Sequence, residues 1–327
     1  MVNKILNRRR ALFGAGVLLA LGASAQTGSW PDRPIRLIVP GPAAGGIDIF
    51  ARMLQNPLQI ALKQAVVIDN RAGANGIIGI DATAKAAPDG YTIVMAASSA
   101  IAINPMLQAK MPYDTQKDLV PVAQVGAAGI LLMTNPASGF KSLQDMVRYA
   151  KANPGKLTYG SWGNGSTGHL VMEGLKANYG LDMPHLPYKG TAPVILDLLN
   201  NTISVAFTDI AGPIPQIRAG KLLALGVTGS GRGPALPDLP TLTEQGYKFD
   251  ANGWFGIFAP AGTPPAIVRR LNEEINRVLA TEPMRQQFAA QNMATPPIKT
   301  VEQFAATVKS DIELWQSLGR TAKLQID

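Results

Sequence analysis

The sequence of 327 residues contains no cysteine and only two histidines, His169 and His185. Without cysteine, neither a disulfide nor a lipid-attachment site is available. The two histidines do not occur in an H-E-x-x-H spacing, so a zinc site lacks ligands. The sequence therefore predicts no metal and no cofactor, and the size of the core must stabilise the fold in place of cross-links.

Aromatic residues are also few, at 6%, and the basic residues do not cluster. The formal net charge of +8 overstates the basic character, because residues 1–25 hold four of the thirty basic residues and none of the acidic ones. The remainder has 26 basic against 22 acidic residues, a net charge of +4. This composition gives little support to nucleic-acid binding. A mild positive charge suits anionic small molecules, although solubility explains it equally well.

The N-terminus has the organisation of an export signal. Lys4 and residues 8–10 (RRR) form a basic start, residues 11–21 are an apolar run, and residues 23–25 (ASA) match a signal-peptidase site. Cleavage is expected after Ala25. The apolar run is shorter than the roughly 18 residues of a membrane-spanning helix, and a retained anchor is the alternative. Export without cysteine predicts a periplasmic protein, reached by the Sec or the twin-arginine route.

The rest of the chain alternates between strand and helix patterns, which predicts an α/β architecture with largely parallel sheets. The predicted strands are 35–39, 66–68, 92–96, 130–134, 157–159, 203–207, 222–228 and 254–259. Capping signals at 142–145, 263–264 and 300–303 predict the starts of three helices between or after them.

Two apolar segments, 122–134 and 253–260, each leave a loop and run into a new helical region. They suggest a middle domain inserted into a first domain that is built from both ends of the chain. The predicted division is a signal peptide at 1–25, a first lobe at 26–125 and 253–327, and a second lobe at 126–252. Two α/β lobes joined by two crossing strands enclose a cleft, and clefts between domains are favoured ligand sites.

A glycine-rich turn at 40–46 connects a predicted buried strand to a helix that begins near Asp48. A helix N-terminus presents unpaired backbone N–H groups, and together with the helix dipole these favour a bound anion. Asp48 either caps this helix or orients waters and backbone amides around a ligand. A third glycine-rich segment, 71–76, is interpreted as a tight turn and helix entry rather than a binding loop.

A second glycine-rich turn, GNGSTG at 163–168, fits the dinucleotide-binding pattern G-x-G-x-x-G, with Asp182 about 20 residues further on. However, Asp182 precedes the next possible strand, which proline interrupts, and a nicotinamide cofactor is not expected in the periplasm. As a turn at a helix N-terminus, the segment is suited to a carboxylate, although simple helix capping is the alternative. Its candidate donors are Ser161, Asn164, Ser166 and Thr167.

No catalytic constellation is evident in the sequence. There is no G-x-S-x-G pattern, and the neighbouring Ser166 and His169 lack both an orienting third group and an oxyanion hole. His169 is expected to begin a helix and to touch a ligand or a loop carbonyl. Trp162 and Trp254 either stack on an aromatic ligand or pack in the core and hinge. The protein is not predicted to be an enzyme.

Taken together, these segments resemble the Bug family, the substrate-binding proteins of tripartite tricarboxylate transporters. Each segment is short, but their order over about 240 residues is specific to the family. They are WPDRPIR (30–36), PGPAAGGID (40–48), NRAGANG (70–76), PDGYT (88–92), NP (104–105), PYD (112–114), NPGK (153–156), YGS (159–161), HL (169–170), PYKG (187–190), GKL (220–222), PDLPT (237–241) and WFGIFAPAGTP (254–264).

The resemblance implies a type II periplasmic-binding-protein fold in which two lobes close on a ligand. It implies a carboxylate ligand (a di- or tricarboxylate, an acidic amino acid or an aromatic acid), held by loops that match 40–48 and 161–169, often with ordered waters. It also implies delivery to the membrane permease subunits of the transporter, by a protein expected to be a monomer. The ligand-binding residues that follow are Gly45, Gly46, Asp48 and Ser98 on the first lobe, and Ser161, Trp162, Asn164, Ser166, Thr167, His169 and Asp209 on the second.

Two residues depart from the family pattern. Ala44 stands where the family usually has the first glycine of a pair, and Trp162 stands where a small residue is usual. The first changes the loop geometry and the second reshapes the pocket, so the ligand of a known member does not transfer to this chain. Two other functions stay open: a binding protein that reports its ligand to a membrane sensor kinase, and a periplasmic hydrolase using Ser166 and His169.

Overall fold

The computed structural model describes residues 30–107, 110–229, 231–249, 253–294 and 297–322, and for residues 316–322 it describes the backbone alone. The predicted signal peptide and its cleavage after Ala25 lie outside the described residues. In the described part of the chain, no helix combines the length and the apolar character needed to cross a membrane.

Ten strands and ten helices make up the regular structure of the described residues. The strands are β1 (Ile35–Val39), β2 (Val66–Asn70), β3 (Thr92–Ala97), β4 (Leu119–Ala128), β5 (Leu131–Thr134), β6 (Tyr159–Ser161), β7 (His185–Pro187), β8 (Val205–Thr208), β9 (Leu223–Val227) and β10 (Gly253–Pro260). The helices are α1 (Gly46–Leu62), α2 (Ile77–Ala84), α3 (Asn104–Leu107), α4 (Leu143–Ala152), α5 (Thr167–Tyr179), α6 (Thr191–Leu199), α7 (Ile214–Arg218), α8 (Pro265–Leu279), α9 (Glu282–Ala290) and α10 (Val301–Ala322).

The strands form two five-stranded sheets, one in each lobe. The first has the order β2-β1-β3-β10-β4 and the second the order β7-β6-β8-β5-β9. The first sheet thus takes strands from both ends of the chain, and the second takes strands that lie between them in sequence. The predicted α/β class with two lobes is confirmed. The exact boundaries at 125/126 and 252/253 stay a prediction, and the first of them falls inside β4, which pairs with β10 as far as Ala128.

Both sheets are mixed: in each, four strands run in one direction, as expected of a largely parallel sheet, and a fifth runs against them. β1 is parallel to β2 and β3, and β6 is parallel to β7 and β8. β10 is antiparallel to β3 and β4, and β5 is antiparallel to β8 and β9. The two antiparallel strands, β5 and β10, enter their sheets from the other lobe. They do not arrive through a helical crossover within one sheet, which is the connection that makes neighbouring strands parallel.

Most predicted strands are found within two residues of their expected bounds, and β1 matches at both ends. Two strands were not on the predicted list: β4 was represented only by the apolar crossing segment 122–134, and β7 was missed because Pro184 and Pro187 argue against a strand. β7 lies at the edge of the second sheet, where a residue without a backbone N–H leaves no ladder partner unsatisfied. The predicted strand at 157–159 begins two residues later, at Tyr159, where pairing with His185 and Val205 starts.

The first sheet is buried on both faces. Successive side chains of a strand point to opposite faces, so Ile93 and Met95 of β3 pack with α1, α8 and α9, whereas Val94 and Ala96 pack with α2 and α10. Burial on both faces explains why these strands read as continuous apolar runs.

One of the three predicted capping signals, 300–303, forms a complete capping box, and a second, 142–145, caps its helix with a return bond one residue earlier. The Ser142 hydroxyl accepts the Asp145 N–H at 3.1 Å, and Asp145 accepts the Lys141 N–H at 3.0 Å. Thr300 and Gln303 bond reciprocally at 3.3 and 3.0 Å. At the third signal, 263–264, α8 begins at Pro265. The Thr263 hydroxyl does not cap this helix but donates to the Pro260 carbonyl at 2.7 Å.

Candidate functional site

A cavity of about 110 Å³ lies between the two lobes. Its walls come from the turn after β1, the ends of β3, β4 and β10, the turn after β6, and the segments before α6 and after β8. For comparison, a cavity of about 150 Å³ in an apolar core accepts benzene, so this space suits a compact small molecule. Both glycine-rich turns singled out in the sequence reach this cavity.

The turn at 40–45 is held from behind by Asp48. This carboxylate is 1% exposed and accepts the Ala44 N–H at 2.9 Å, the Arg52 Nε–H at 2.7 Å and the Asn70 Nδ2–H at 2.9 Å. Asn70 also donates to the Gly41 carbonyl at 3.1 Å. Asp48 thus fixes the shape of the turn and does not itself line the cavity.

Burial alone would raise the pKa of Asp48. Hydrogen bonds from Arg52, Asn70 and Ala44, together with the charge of Arg52, outweigh that effect and hold the pKa below its ordinary value. The carboxyl therefore stays ionised, which is the form that can accept all three bonds.

The N-terminus of α1 is occupied by a carboxylate from the other lobe. Gly45 is the N-cap residue and offers no side chain, and the Gly46 N–H donates instead to Asp209 Oδ2 at 3.2 Å. The other oxygen of Asp209 accepts the Ala211 and Gly212 N–H groups at 3.1 and 2.9 Å. A Cβ on Gly46 would lie 2.2 Å from Asp209 Oδ1, so only glycine permits this approach. The anion expected at this helix terminus is therefore supplied by the protein itself.

The second turn begins where β6 ends. Ser166 is the N-cap of α5, and its hydroxyl oxygen accepts the His169 N–H at 3.2 Å. Thr167, the first residue of the helix, lines the cavity, and so does the half-buried Trp162. The Trp162 ring packs over Gly168, where a Cβ would come within 2.5 Å of it. The absence of a side chain at Gly168, six residues later, thus makes room for the Trp162 ring.

Behind this turn lies a stacked pair of histidines. The rings of His169 and His185 are 4.1 Å apart with an angle of 8° between their planes, and His185 also stacks on Tyr159. The His169 Nδ1 accepts the Gly165 N–H at 3.1 Å, and the His185 Nε2 lies 2.8 Å from the Ser161 hydroxyl. Both rings therefore hold the backbone of the turn in place.

Burial, more than the surrounding charges, lowers the pKa of both histidines. Burial is the main cause that lowers the pKa of His169, with Lys176 adding to it and Glu173 opposing it. Burial, then His169, lowers the pKa of His185 to about 4. Glu173 is itself tied to Lys176 at 2.7 Å and to the Tyr159 hydroxyl. A neutral His169 is required by its contact with Gly165, because only an unprotonated Nδ1 accepts a hydrogen bond.

Five of the eleven predicted site residues line the cavity: Gly45, Ser98, Trp162, Thr167 and Asp209. The other six support the two turns from behind or lie beside them: Gly46, Asp48, Ser161, Asn164, Ser166 and His169. Ser98 is 4% exposed, and its hydroxyl accepts the Trp254 N–H at 3.3 Å. Of the two tryptophans considered, both line the cavity, but the Trp254 indole is also bonded to Asp311.

Several lining residues were not predicted. The polar ones are Asn75, Ser99, Lys189 and Thr191, and the apolar ones include Ile47, Ile130, Phe255 and Met293. Asn75 has a left-handed backbone (φ 49°), and its side chain donates to Asn104 Oδ1 at 2.7 Å. The segment 71–76, which the sequence suggested was a plain turn, therefore contributes to the cavity wall.

The geometry offers little for catalysis or for a metal. The Ser166 hydroxyl oxygen is bonded to a backbone N–H and not to an imidazole. The serine that does contact a histidine, Ser161, is fully buried, and its hydroxyl donates to the Gly163 carbonyl at 3.0 Å. Across the described ranges, three or more His, Cys, Asp or Glu side chains nowhere converge in a way that could hold a metal ion.

Comparison with known proteins gives consistent matches over most of the chain. The family model described as tripartite tricarboxylate transporter family receptor matches residues 50–322. The protein BugT of Bordetella pertussis is 38% identical over 320 residues, which cover 96% of this chain and 98% of that protein.

Two solved structures are similar in fold as well as in sequence. Rpa4515 of R. palustris with adipate has a TM-score of 0.87 at 31% identity, covering 90% of this chain and 98% of that chain. MatC from Rhodopseudomonas palustris with bound malate has a TM-score of 0.83 at 28% identity, covering 88% and 99%.

Proposed function

Because this chain belongs to the tripartite tricarboxylate transporter receptor family, we propose that it captures a small carboxylate between its lobes in the periplasm and delivers it to the membrane subunits of such a transporter. Two relatives of similar fold were solved with adipate and with malate, which are both carboxylates. The observation that carries the proposal is the cavity between the lobes, which both lobes line.

The cavity supplies hydrogen-bond donors from both lobes. On the first lobe these are the hydroxyls of Ser98 and Ser99 and the side chain of Asn75. On the second lobe, Thr167, Thr191 and Lys189 face the same space. Carboxylates accept bonds from hydroxyl, amide and ammonium groups, so this set suits an acid.

Contacts on two lobes provide the coupling between binding and closure. A ligand shifts a conformational equilibrium only by its difference in affinity for the two states. A carboxylate that touches donors on both lobes makes its full set of contacts only in the closed form. Ligand-bound closure then gives the membrane subunits one defined shape to recognise.

The supporting residues act on the shape of the turns. Asp48 holds the first turn, and Ser166 and His169 hold the second. We infer that substitutions at these three positions weaken binding through the loop backbone, whereas Ser98 and Thr167 act by direct contact. The two kinds of variant are separable, because loss of a loop support also lowers the stability of the free protein.

A thermal-shift screen tests the binding function. The purified protein, with its predicted signal removed, is heated with a panel of mono-, di- and tricarboxylates. A ligand present at 100 times its Kd stabilises the folded state by about 2.7 kcal/mol. Thr167→Val is expected to reduce the shift, whereas Ser310→Ala, an exposed hydroxyl on α10, is the matched control. Absence of a shift across the panel would contradict carboxylate binding.

Transport is tested separately, by uptake of the identified acid. Cells lacking the gene are expected to lose uptake and to regain it with the wild-type gene but not with the Thr167→Val variant. If binding persists and deletion leaves uptake unchanged, the protein is not a transport receptor, and reporting to a sensor kinase becomes the better explanation.

A further inference from the structure

The cavity is lined by two charged side chains among the described residues, Asp209 and Lys189. Asp209 is already engaged, because its two oxygens accept three backbone N–H groups. Lys189 is exposed and makes no ion pair with any residue that the structure describes. Among the described lining residues, Lys189 is therefore the cation available to a ligand, and it lies on the second lobe.

The segment that carries Lys189 lies beside Trp162, an aromatic residue that lines the cavity from the second lobe. The residues on either side of it are bonded to the turn after β6: the Tyr188 N–H donates to the Ser161 carbonyl at 2.9 Å, and the Gly190 N–H donates to the Trp162 carbonyl at 3.2 Å. These two backbone bonds place the Lys189 backbone beside the turn that carries Trp162. A cation beside an aromatic side chain is suited to a carboxylate attached to an apolar body.

Another part of the cavity wall is apolar, beside the hydroxyls of Ser98 and Ser99. Phe255 lines it from β10, with its ring 5.5 Å from that of Phe50 in the core, and Ile130 and the buried Met293 lie nearby. A second carboxylate placed against these side chains would be buried without a cation, in a cavity that the Asp209 carboxyl group also lines. Burying an unpaired charge is costly, and like charges add to that cost.

We propose, on the basis of the proposed function, that the ligand of this cavity is an apolar monocarboxylate. Its carboxylate faces Lys189, and its body lies between Trp162 on the second lobe and Phe255 on the first. Lys189 and Trp162 then determine specificity: the first selects a negative charge, and the second selects a flat or branched apolar body over a second charge.

Calorimetric titration with four probes tests this assignment. Benzoate and hexanoate are the monocarboxylates, adipate is the dicarboxylate related to hexanoate in length, and benzamide is the uncharged counterpart of benzoate. Benzoate or hexanoate is expected to bind at least about tenfold more tightly than adipate, and benzamide is expected to bind at least tenfold more weakly than benzoate.

Variants at Lys189 and Trp162, with one control, assign the contacts. Lys189→Gln is expected to weaken monocarboxylate binding about tenfold, Lys189→Arg to retain most of it, and Lys156→Gln, an exposed lysine elsewhere on the second lobe, to leave it unchanged. Trp162→Leu is expected to weaken benzoate more than hexanoate, by several-fold. Unchanged melting temperatures of the free variants show that folding is not the cause.

Different results would overturn the monocarboxylate assignment and the proposed function. Tighter binding of adipate than of hexanoate, or wild-type monocarboxylate affinity in Lys189→Gln, would overturn the monocarboxylate assignment and leave carboxylate capture standing. Binding of none of the acids in this titration and in the wider panel would overturn both.

Discussion

Asp209 and Gly46, 163 residues apart in the sequence, are joined by a hydrogen bond of 3.2 Å that caps the first helix of one lobe with a carboxylate of the other. An N-cap is ordinarily local, supplied by the residue before the helix. Here the residue before the helix is glycine, so the cap exists only while the lobes are together. Closure thus has a favourable contact of its own, independent of any ligand.

Removal of that contact should favour the open form. Asp209→Ala is expected to lower the free energy of unfolding by about 1 kcal/mol, the usual worth of an N-cap, and to increase the radius of gyration of the free protein in small-angle X-ray scattering. Asp182→Asn, an exposed acid on the second lobe, is the control. Identical scattering from the Asp209 variant and the wild type would show that the cap does not favour closure.

The stability of the second lobe should fall in acid because of its histidine pair. In the unfolded chain both histidines titrate near pH 6.5, whereas in the fold the pKa of each is lowered, that of His185 to about 4. Above about pH 6.5 both histidines are neutral in the folded and in the unfolded state, so the free energy of unfolding does not change. As the pH falls toward 4, the unfolded state takes up protons that the folded state does not, so stability is lost across that window.

Denaturant unfolding at several pH values measures this effect. The loss assigned to His185 should reach about 2 kcal/mol, with allowance for its partial exposure. The variant His185→Gln keeps an N–H donor for Ser161 but does not titrate, so its stability should fall less steeply between pH 6.5 and 4. Parallel curves for the variant and the wild type would contradict the prediction.

Ala44 should be a site of stored backbone strain. Its φ of 62° is left-handed, a conformation that costs an L-residue about 1–2 kcal/mol. Glycine adopts it freely but loses more entropy on folding, so Ala44→Gly is expected to stabilise the protein by about 0.5–1 kcal/mol. Ala43→Gly, one residue earlier and outside the left-handed region, should destabilise it instead. Chemical denaturation of both variants measures whether each substitution raises or lowers the free energy of unfolding.

The contact between Gly168 and Trp162 should control the shape of the cavity. A Cβ at Gly168 would lie 2.5 Å from the indole ring, so Gly168→Ala must displace that ring. Alanine is about 1 kcal/mol more favourable than glycine within a helix, so α5 should not unfold. The expected result is a shifted tryptophan emission with weakened ligand binding at a nearly unchanged melting temperature. An unaltered emission maximum would place the ring elsewhere.

The sequence predicted well what depends on local pattern. Most of the buried strands, the helix caps at Ser142 and Thr300, and the two glycine-rich turns were found where expected, since apolar runs and cap residues act within a few positions. The family resemblance and the two-lobed α/β class are confirmed, because many short segments in a fixed order are specific even when each is weak.

Long-range placement was harder to predict. Asp48 and Asp209 were both predicted to contact the ligand. Asp48 instead bonds to the loop behind the cavity, whereas Asp209 lines the cavity. The sequence around each residue does not distinguish these two positions. Lys189 was missed because it stands alone in a short segment between prolines and a glycine. Its importance depends on Trp162 being bonded beside it, a relation between strands that sequence spacing does not show.

The paired crossing strands set how the two halves can move. β4 runs alongside β10 to the point where Gly253 faces Ala128, and β5 begins only three residues later. Two paired strands resist sliding and twisting but can bend. This strip of β4 and β10 therefore leaves essentially one rotation of the lobes relative to each other. Gly129 lies at the end of this strip whereas Lys189 lies outside it, so we expect Lys189 to move farther when the lobes close. On the proposed function, the contact between an acid and Lys189 is therefore completed only late in closure.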